Sequence, residues 1–302
     1  IDMVVMARPL LADPEIPNKT ASGKLDEIRP CIGCLMCREQ FLLDKGVACA
    51  VNAQAGREYE CPIIPTETKK RVVVVGGGAA GMEAARVAAL RGHEVTLLEK
   101  DNRLGGQLLL ASLPPYKGIL AELVDYFRVQ MERLGIKVEL GREATVETVL
   151  SAKPNAVVVA TGATRAVPDL PGIEIEKVVD AADVLTGKAA VGDEMVIIGG
   201  GIIGCETAEF LAAQGKKVTV VEMLDNLATG MERTHRQFLL QRLDGRGVNL
   251  MVRTEAQAVA GDGVLVRMAD GKERTLAADT VVLAIGVSPN QQLYQALRGK
   301  VG

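Results

Sequence analysis

Four of the six cysteines lie close together, in the pattern Cys31-x2-Cys34-x2-Cys37-x11-Cys49. In a reducing compartment, closely spaced cysteines indicate metal binding or catalysis before a disulfide. Structural zinc sites usually use two separated pairs, whereas three thiolates in one short loop plus a fourth further on suit a cubane cluster. The spacing therefore predicts that these four cysteines bind a [4Fe-4S] cluster, with zinc as the alternative. Gly33 allows the tight turn that the loop needs.

A strand, a glycine-rich turn and a helix occur twice. The apolar run 71–75 leads into the glycines 76–78 and 81 and the helical stretch 82–91, and the run 195–198 leads into the glycines 199–201 and 204 and a helix to residue 214. In both copies the next strand ends in an acid, Glu99 or Glu222, 23 positions after the first glycine. This arrangement is typical of a dinucleotide-binding unit and predicts an α/β fold with two nested Rossmann-like domains.

Each residue type in this unit has a physical role. The first glycine makes the turn, the second lets the backbone approach the pyrophosphate, and the third lets the helix pack on the strand. The predicted cofactor-binding residues are Gly76, Gly78, Gly81 and Glu99 in the first copy, and Gly199, Gly201, Gly204 and Glu222 in the second. The acid accepts hydrogen bonds from ribose hydroxyls and repels a 2′-phosphate. No arginine follows Glu222 directly, so the second site is expected to prefer NADH over NADPH.

Further glycine motifs are expected beside the cofactors. The run 156–159 leads into Ala160-Thr161-Gly162, and the run 280–283 leads into Ala284-Ile285-Gly286. Each reads as an apolar buried strand that ends in a backbone-accessible turn. The segment 103–108, which includes Arg103, Gly106 and Gln107, follows the first acid where an extended dinucleotide would continue; an ordinary surface turn is the alternative.

The composition of the chain limits the classes of partner that we expect it to bind. The 302 residues suffice for about two domains, and 35 basic against 38 acidic side chains leave a net charge of -3. Because the charges are interspersed, neither a nucleic acid nor a membrane surface is an expected partner. No apolar run reaches the roughly 18 residues of a membrane span, and Asp2, Arg8 and Asp13 interrupt the N-terminal region. We expect a cytoplasmic protein, read as a piece of a longer chain that starts in a strand over 3–6.

These residues together resemble the C-terminal part of the iron-sulfur flavoenzymes related to 2,4-dienoyl-CoA reductase, 2-enoate reductase and trimethylamine dehydrogenase. In that family an FMN-binding (β/α)8 barrel of the old yellow enzyme type precedes the cluster cysteines, and an NAD(P)H domain is inserted in an FAD domain. The resemblance implies that residues 1–14 contain the last barrel strand and the start of its helix, with Arg8 on the FMN phosphate. It also implies that FAD binds at the first glycine fingerprint, which is Gly76, Gly78 and Gly81, and at Leu104–Leu108. NADH would bind at the second fingerprint, which is Gly199, Gly201 and Gly204.

The resemblance implies five segments. These are a barrel remnant at 1–30, a cluster loop at 31–62, the first part of the FAD domain at 63–165, the NADH domain at 166–290 and the start of the return to the FAD domain at 291–302. The rest of its own chain, with the FMN barrel, would be a partner, and the intact protein is expected to be a homo-oligomer. The catalytic acid or base and the substrate pocket of the family lie in the barrel, so no catalytic residue is nominated.

The implied function is electron transfer from NADH to FAD, then to [4Fe-4S] and to FMN. The intact enzyme would reduce an activated C=C bond of a small-molecule enoate or enoyl-CoA type substrate. One alternative is an amine dehydrogenase that keeps ADP at the first site, and another is a non-enzymatic nucleotide-binding scaffold. A pyridine nucleotide-disulfide oxidoreductase would need a redox cysteine beside the flavin. Residues 62–302 contain only Cys205, in the helix of the second unit, so this alternative is not favoured. Cys61 and Cys205 are expected to do no chemistry.

Overall fold

The computed structural model describes residues 2–301. Its backbone contacts divide the chain into two compact units. Unit 1 contains the residues up to Ser112, Gly118–Gly162 and the residues from Pro289 onward, and unit 2 contains Leu113–Lys117 and Ala163–Ser288. The chain therefore leaves unit 1 and returns to it.

The elements alternate between strand and helix, as in an α/β protein. The helices are α1 (Arg8–Ala12), α2 (Ile16–Ala21), α3 (Met36–Leu42), α4 (Ala79–Leu90), α5 (Gln107–Ala111), α6 (Ile119–Arg133), α7 (Val146–Ser151), α8 (Ala181–Leu185), α9 (Ile202–Ala213), α10 (Arg233–Gly245) and α11 (Gln292–Leu297), with a 3-10 turn at Leu25–Glu27. The strands are β1 (Arg71–Val75), β2 (Glu94–Leu98), β3 (Lys137–Glu139), β4 (Ala156–Val159), β5 (Ala163–Arg165), β6 (Val178–Asp180), β7 (Glu194–Ile198), β8 (Lys217–Val221), β9 (Asn249–Met251), β10 (Glu255–Ala260), β11 (Gly263–Arg267), β12 (Glu273–Ala277), β13 (Thr280–Leu283) and β14 (Val287–Pro289).

Unit 1 is built on a four-stranded parallel sheet in the order β3-β2-β1-β4. Successive side chains of a strand point to opposite faces. Val72 and Val74 of β1 therefore pack with α4 and α6, while Val73 and Val75 pack with α7 and α11. Helices on both faces explain why β1 is an unbroken valine run rather than an alternating one.

Unit 2 is built on a five-stranded parallel sheet in the order β6-β13-β7-β8-β9. Met195 and Ile197 of β7 face α8, α9 and α10. Val196 and Ile198 face the antiparallel sheet β10-β11-β12, which covers the other side. A separate two-stranded pairing joins β14 and β5.

The central strands and helices confirm the predicted α/β fold. The strand predicted over 3–6 is wrong, because in the described part of the chain residues 2–6 pair with no strand and Met3, Val4 and Val5 are exposed. An apolar sequence forms a strand only where a neighbouring strand satisfies its backbone hydrogen bonds. A second difference concerns β4, whose side chains are only partly buried because the strand lies at the edge of its sheet.

Candidate functional site: two dinucleotide cradles and a cysteine loop

The first glycine fingerprint forms a tight turn between β1 and α4. Gly76 has φ +106°, and a Cβ there would lie 2.2 Å from the carbonyl oxygen of Ala160. A Cβ at Gly81 would lie 1.8 Å from the carbonyl oxygen of Gly76, so the helix packs directly on the turn. Gly78, by contrast, faces open space, with no atom within 4 Å of a Cβ built there. This opening is where a ligand could approach the backbone.

The second fingerprint repeats this geometry between β7 and α9. Gly199 has φ +105° and would place a Cβ 2.5 Å from the carbonyl oxygen of Ala284. A Cβ at Gly204 would lie 1.9 Å from the carbonyl oxygen of Gly199, and Gly201 again faces open space. Neither Gly78 nor Gly201 caps its helix with a side chain. The first N–H groups of α4 and α9 are therefore available, with the positive end of the helix dipole, for an anion.

The two acids are bound in the same way. Glu99 Oε2 accepts a hydrogen bond of 2.5 Å from the N–H of Gly77, and its Oε1 accepts one of 2.8 Å from Asp101. Glu222 Oε2 accepts from the N–H of Gly200 at 2.8 Å, and its Oε1 from Leu224 at 2.8 Å. Each carboxylate is thus fixed at the edge of its glycine turn. Because a carboxylate oxygen has two lone pairs, both acids retain acceptor capacity for ribose hydroxyls.

One segment of the second glycine turn, at residues 227–228, is not evident from the sequence. The N–H of Gly105 donates to the carbonyl oxygen of Gly77 at 2.8 Å, and the N–H of Ala228 donates to the carbonyl oxygen of Gly200 at 2.7 Å. In both pairs the donor lies 28 positions after the acceptor. Leu104 packs against Gly77 as Leu227 packs against Gly200. The segment 103–107 is therefore an integral part of the first cradle. Its counterpart was not recognised because Ala228 replaces a glycine; the repeated leucine at equal spacing was the available signal.

The remaining nominated residues lie at the ends of the sheets. Gly106 would place a Cβ 3.2 Å from Gly78, whereas Arg103 is exposed at the rim of a cavity of about 630 Å³ and Gln107 is exposed at the start of α5. Thr161 Oγ1 donates to the carbonyl oxygen of Asn290 at 2.9 Å.

The turns after β4 and β13 lie beside the two glycine fingerprints. We call each fingerprint, with its acid and the adjoining turn, a cradle. Ala160 extends β4 by donating its N–H to Val75 at 2.8 Å. Gly162 and Gly286 both have positive φ, at +69° and +109°. These positions end the strands beside the first glycine of each fingerprint.

The four clustered cysteines line one small cavity, together with Arg8 at the start of α1. Gly33 and Leu35 both have positive φ, which lets the loop fold back on itself. Burial raises the pKa of Cys34, and the thiols of Cys49, Cys31 and Cys37 raise it further, against a lowering by the N–H of Met36. Within residues 2–301, no three His, Cys, Asp or Glu side chains converge closely enough to hold a single metal ion.

Cys205 lacks the properties of a redox cysteine. It is fully buried in α9, and its Sγ donates to the carbonyl oxygen of Gly200 at 3.3 Å. Burial raises its pKa to about 11. A thiol with so high a pKa is almost entirely protonated at neutral pH and is a poor nucleophile.

One arginine near the second acid was also missed. The N–H of Arg253 donates to the carbonyl oxygen of Leu224 at 3.1 Å, although 29 positions separate the two residues. Arg253 follows β9, the neighbour of β8, and the ends of parallel neighbours share one edge of a sheet. The position of Arg253 near Glu222 therefore follows from the pairing of these two strands and not from the sequence around Arg253.

Comparisons with known proteins agree with this architecture. Residues 70–301 match the family model described as pyridine nucleotide-disulphide oxidoreductase. The metal reductase of Desulforamulus reducens (strain ATCC BAA-1160 / DSM 100696 / MI-1) is 41% identical over 99% of this chain and 50% of its own length. The cinnamate reductase of Clostridium sporogenes (strain ATCC 7955 / DSM 767 / NBRC 16411 / NCIMB 8053 / NCTC 8594 / PA 3679) is 38% identical over 98% of this chain and 45% of its own. Dimethylamine dehydrogenase of Hyphomicrobium sp. (strain x) is less similar, at 30% identity over 100% of this chain and 47% of its own.

Among solved structures, 2-naphthoyl-CoA reductase in complex with 2-naphthoyl-CoA matches with a TM-score of 0.95 and 35% identity, over 99% of this chain and 46% of that one. The fold and the two glycine turns agree with the pyridine nucleotide-disulphide oxidoreductase family model, which implies the cofactors FAD and NAD(H). The chain belongs to the iron-sulfur flavoenzyme family that includes these reductases. It spans about half the length of the curated relatives it matches. Between residues 2 and 301, no helix has the length and apolar character needed to cross a bilayer.

Proposed function

We propose that this chain carries the electron-input machinery of an NADH-dependent flavin and iron-sulfur oxidoreductase whose intact form reduces an activated C=C bond. The duplicated cradle is the observation that carries the proposal. Two turns of the same geometry each combine an uncapped helix N-terminus, open space over the second glycine and a fixed carboxylate. A redox protein with two such sites is suited to passing electrons between two adenine dinucleotides.

FAD is assigned to the first cradle. Gly78 and the α4 N-terminus would hold its pyrophosphate, and Glu99 its ribose. The segment with Arg103, Gly106 and Gln107 would bind its continuation, with Ala160, Thr161 and Gly162 on the other side. Gly106 supports this assignment, because a Cβ there would lie 3.2 Å from the Cα of Gly78 and a longer side chain would extend over that glycine.

NADH is assigned to the second cradle. Gly201 and the N-terminus of α9 would bind the pyrophosphate, in the turn that Gly199 and Gly204 allow, Glu222 would bind the ribose, and Gly286 would lie at the far side of the site. The carboxylate of Glu222 is held by two backbone N–H groups. A carboxylate fixed at this position favours ribose hydroxyls over a 2′-phosphate.

The cysteine loop is proposed to hold a [4Fe-4S] cluster through Cys31, Cys34, Cys37 and Cys49. Zn–S bonds of about 2.3 Å would bring all four sulfurs around one point. The four thiols line one common cavity, and three cysteines in one short loop with a fourth further along the chain suit a cubane better than zinc. Because the ligands bind as thiolates, loading the cluster would displace the protons of these thiols.

The remaining assignments extend this proposal. A bound flavin accepts the two electrons of a nicotinamide together and passes them singly to a cluster. Arg8 is proposed to bind the FMN phosphate, and the five segments given above are proposed as the domain organisation. We further propose a cytoplasmic homo-oligomer with a small-molecule enoate or enoyl thioester substrate, chosen because cinnamate and 2-naphthoyl-CoA reductases are among the relatives.

An anaerobic assay of the full-length protein tests the function. NADH should be oxidised in step with reduction of an aryl enoate or its coenzyme A thioester, with the saturated product detected. Dimethylamine with an artificial electron acceptor is the parallel assay for the amine dehydrogenase alternative, and ferric citrate tests direct metal reduction. Turnover of dimethylamine without NADH oxidation would overturn the proposal.

A further inference from the structure

The loops that follow β8 and β9 are joined by backbone hydrogen bonds around Glu222. Thr254 donates its N–H to the carbonyl oxygen of Glu222 at 2.9 Å, and Arg253 donates to Leu224 at 3.1 Å. The N–H of Leu224 in turn donates to Glu222 Oε1 at 2.8 Å. The backbone of Arg253 is therefore anchored beside the acid that faces the adenosine ribose in the proposed NADH site.

The side chain of Arg253, in the loop after β9, is held by an acid from the loop after β8. Arg253 has φ +49°, and its Nε donates to Asp225 Oδ1 at 2.6 Å. Both side chains remain about two-thirds exposed, at 63% and 65%. Such exposed ion pairs contribute little to the free energy of unfolding. The main effect of the ion pair is therefore to orient the guanidinium of Arg253, and its effect on stability is small.

A guanidinium is the side chain best suited to a phosphate, because its fork of N–H donors binds two oxygens at once. In dinucleotide-binding folds an arginine near the ribose accommodates the 2′-phosphate of NADP. Arg236 of α10 also reaches this region, but its side chain donates to the carbonyl oxygen of Leu227 at 2.7 Å and to Asn226 Oδ1 at 3.3 Å. Arg253, by contrast, donates to the side-chain carboxylate of Asp225.

We propose that Asp225 is a second determinant of coenzyme choice, acting by occupying Arg253. Glu222, Asp225 and Arg253 together carry one net negative charge, so a 2′-phosphate meets repulsion and finds the guanidinium already bound. Without the charge of Asp225, the group becomes neutral and Arg253 is free to bind the phosphate. The inference rests on the proposed binding of NADH at the second cradle and adds the residue that excludes NADPH there.

Calorimetric titration of the full-length, flavin-loaded protein tests this inference, with the protein fully reduced by dithionite beforehand so that no hydride transfer adds heat. NADH, NADPH and 2′,5′-ADP are the probes, the last because it presents the 2′-phosphate without the nicotinamide. The wild type should bind NADH more tightly than NADPH. In Asp225→Asn, NADPH and 2′,5′-ADP should each bind about five- to tenfold more tightly, as expected for a charge-assisted hydrogen bond gained in an exposed site. The Kd for NADH should change far less.

Two further variants make the result specific. Asp270→Asn removes the same charge from an exposed pair with Lys272 at the turn between β11 and β12, and it should leave the Kd for NADPH unchanged. Adding Arg253→Gln to Asp225→Asn should abolish the gain for NADPH and 2′,5′-ADP. Equal gains in Asp225→Asn and Asp270→Asn, or a gain that survives Arg253→Gln, would overturn the inference. Tight NADH binding with no gain in Asp225→Asn would overturn it too, whereas absence of NADH binding to the wild type would overturn the proposed function itself.

Discussion

The glycines of each fingerprint divide into those that permit packing and those that leave space. Gly204→Ala should destabilise the protein, because its Cβ would lie 1.9 Å from the carbonyl oxygen of Gly199. Overpacking of this kind costs about 1–3 kcal/mol, measurable as a lower urea midpoint. Gly201→Ala should keep the wild-type midpoint, because nothing lies within 4 Å of the added Cβ.

Gly201→Ala also tests whether this glycine contributes to cofactor binding. It should weaken NADH binding at least tenfold in a calorimetric titration, since the methyl group occupies the space over which the pyrophosphate would lie. A stable Gly201→Ala protein with unchanged NADH affinity would contradict the assignment of the second cradle. Gly78→Ala makes the same comparison for flavin in the first cradle.

The buried thiol of Cys205 gives a pH dependence of stability. Burial raises its pKa to about 11 from an ordinary value of 9.0. Below pH 9 the thiol is neutral in the folded and unfolded states. Between pH 9 and pH 11 the unfolded state loses this proton and the folded state retains it, so the free energy of unfolding should fall by up to about 1.4 kcal/mol per pH unit.

Urea unfolding between pH 8 and pH 11 measures this effect. Cys205→Ala should show a shallower fall than the wild type, because the titrating group is gone. Cys61→Ala, which alters an exposed thiol, should keep the wild-type slope. Parallel slopes for all three proteins would show that Cys205 does not titrate as its burial requires.

At the level of elements, the central strands of both sheets follow directly from the sequence. Short valine- and isoleucine-rich runs bounded by glycines have few alternatives once helices cover both faces. The run 3–6 has the same apolar character and forms no strand, because pairing depends on a neighbour that local sequence does not reveal. The same limitation hid Arg253 and the segment 227–228, whose positions depend on which strands and loops become neighbours.

The segment Leu113–Lys117 belongs to unit 2 and contacts it through an ion pair. Lys117 Nζ lies 2.5 Å from Glu206 Oε1, which is buried and has no hydrogen bond of good geometry. Lys117→Met should lower the free energy of unfolding by roughly 1–3 kcal/mol, less than for a fully buried pair because Lys117 is partly exposed. Urea unfolding followed by circular dichroism measures the change.

A second substitution identifies the cause of this loss. Glu206→Gln in the Lys117→Met background should recover part of the stability, because it removes the uncompensated buried charge. Lys188→Met changes an exposed lysine of the same unit and should have little effect. If Lys188→Met and Lys117→Met destabilise equally, the ion pair is not what holds the segment.

For the whole molecule, the sequence predicted the α/β class and the repeat of the nucleotide-binding unit, because glycine turns and acids at fixed spacing are local signals. The cysteine spacing indicated metal chemistry for the same reason. The arrangement of the four thiols around one cavity is a tertiary property. The division of the chain into units, with Leu113–Lys117 in unit 2, likewise depends on contacts between distant residues.

We propose that the electrons of NADH reach a cluster held by the four cysteines. Anaerobic titration of the full-length protein with NADH, followed by absorbance and electron paramagnetic resonance, tests it most directly. We predict bleaching of the flavin and the signal of a reduced [4Fe-4S] cluster in the wild type. In Cys34→Ser the flavin should still bleach while the cluster signal is lost, and Cys61→Ser should behave as the wild type. A wild-type protein that contains one zinc ion, or whose cluster stays silent while its flavin is reduced, would contradict the account.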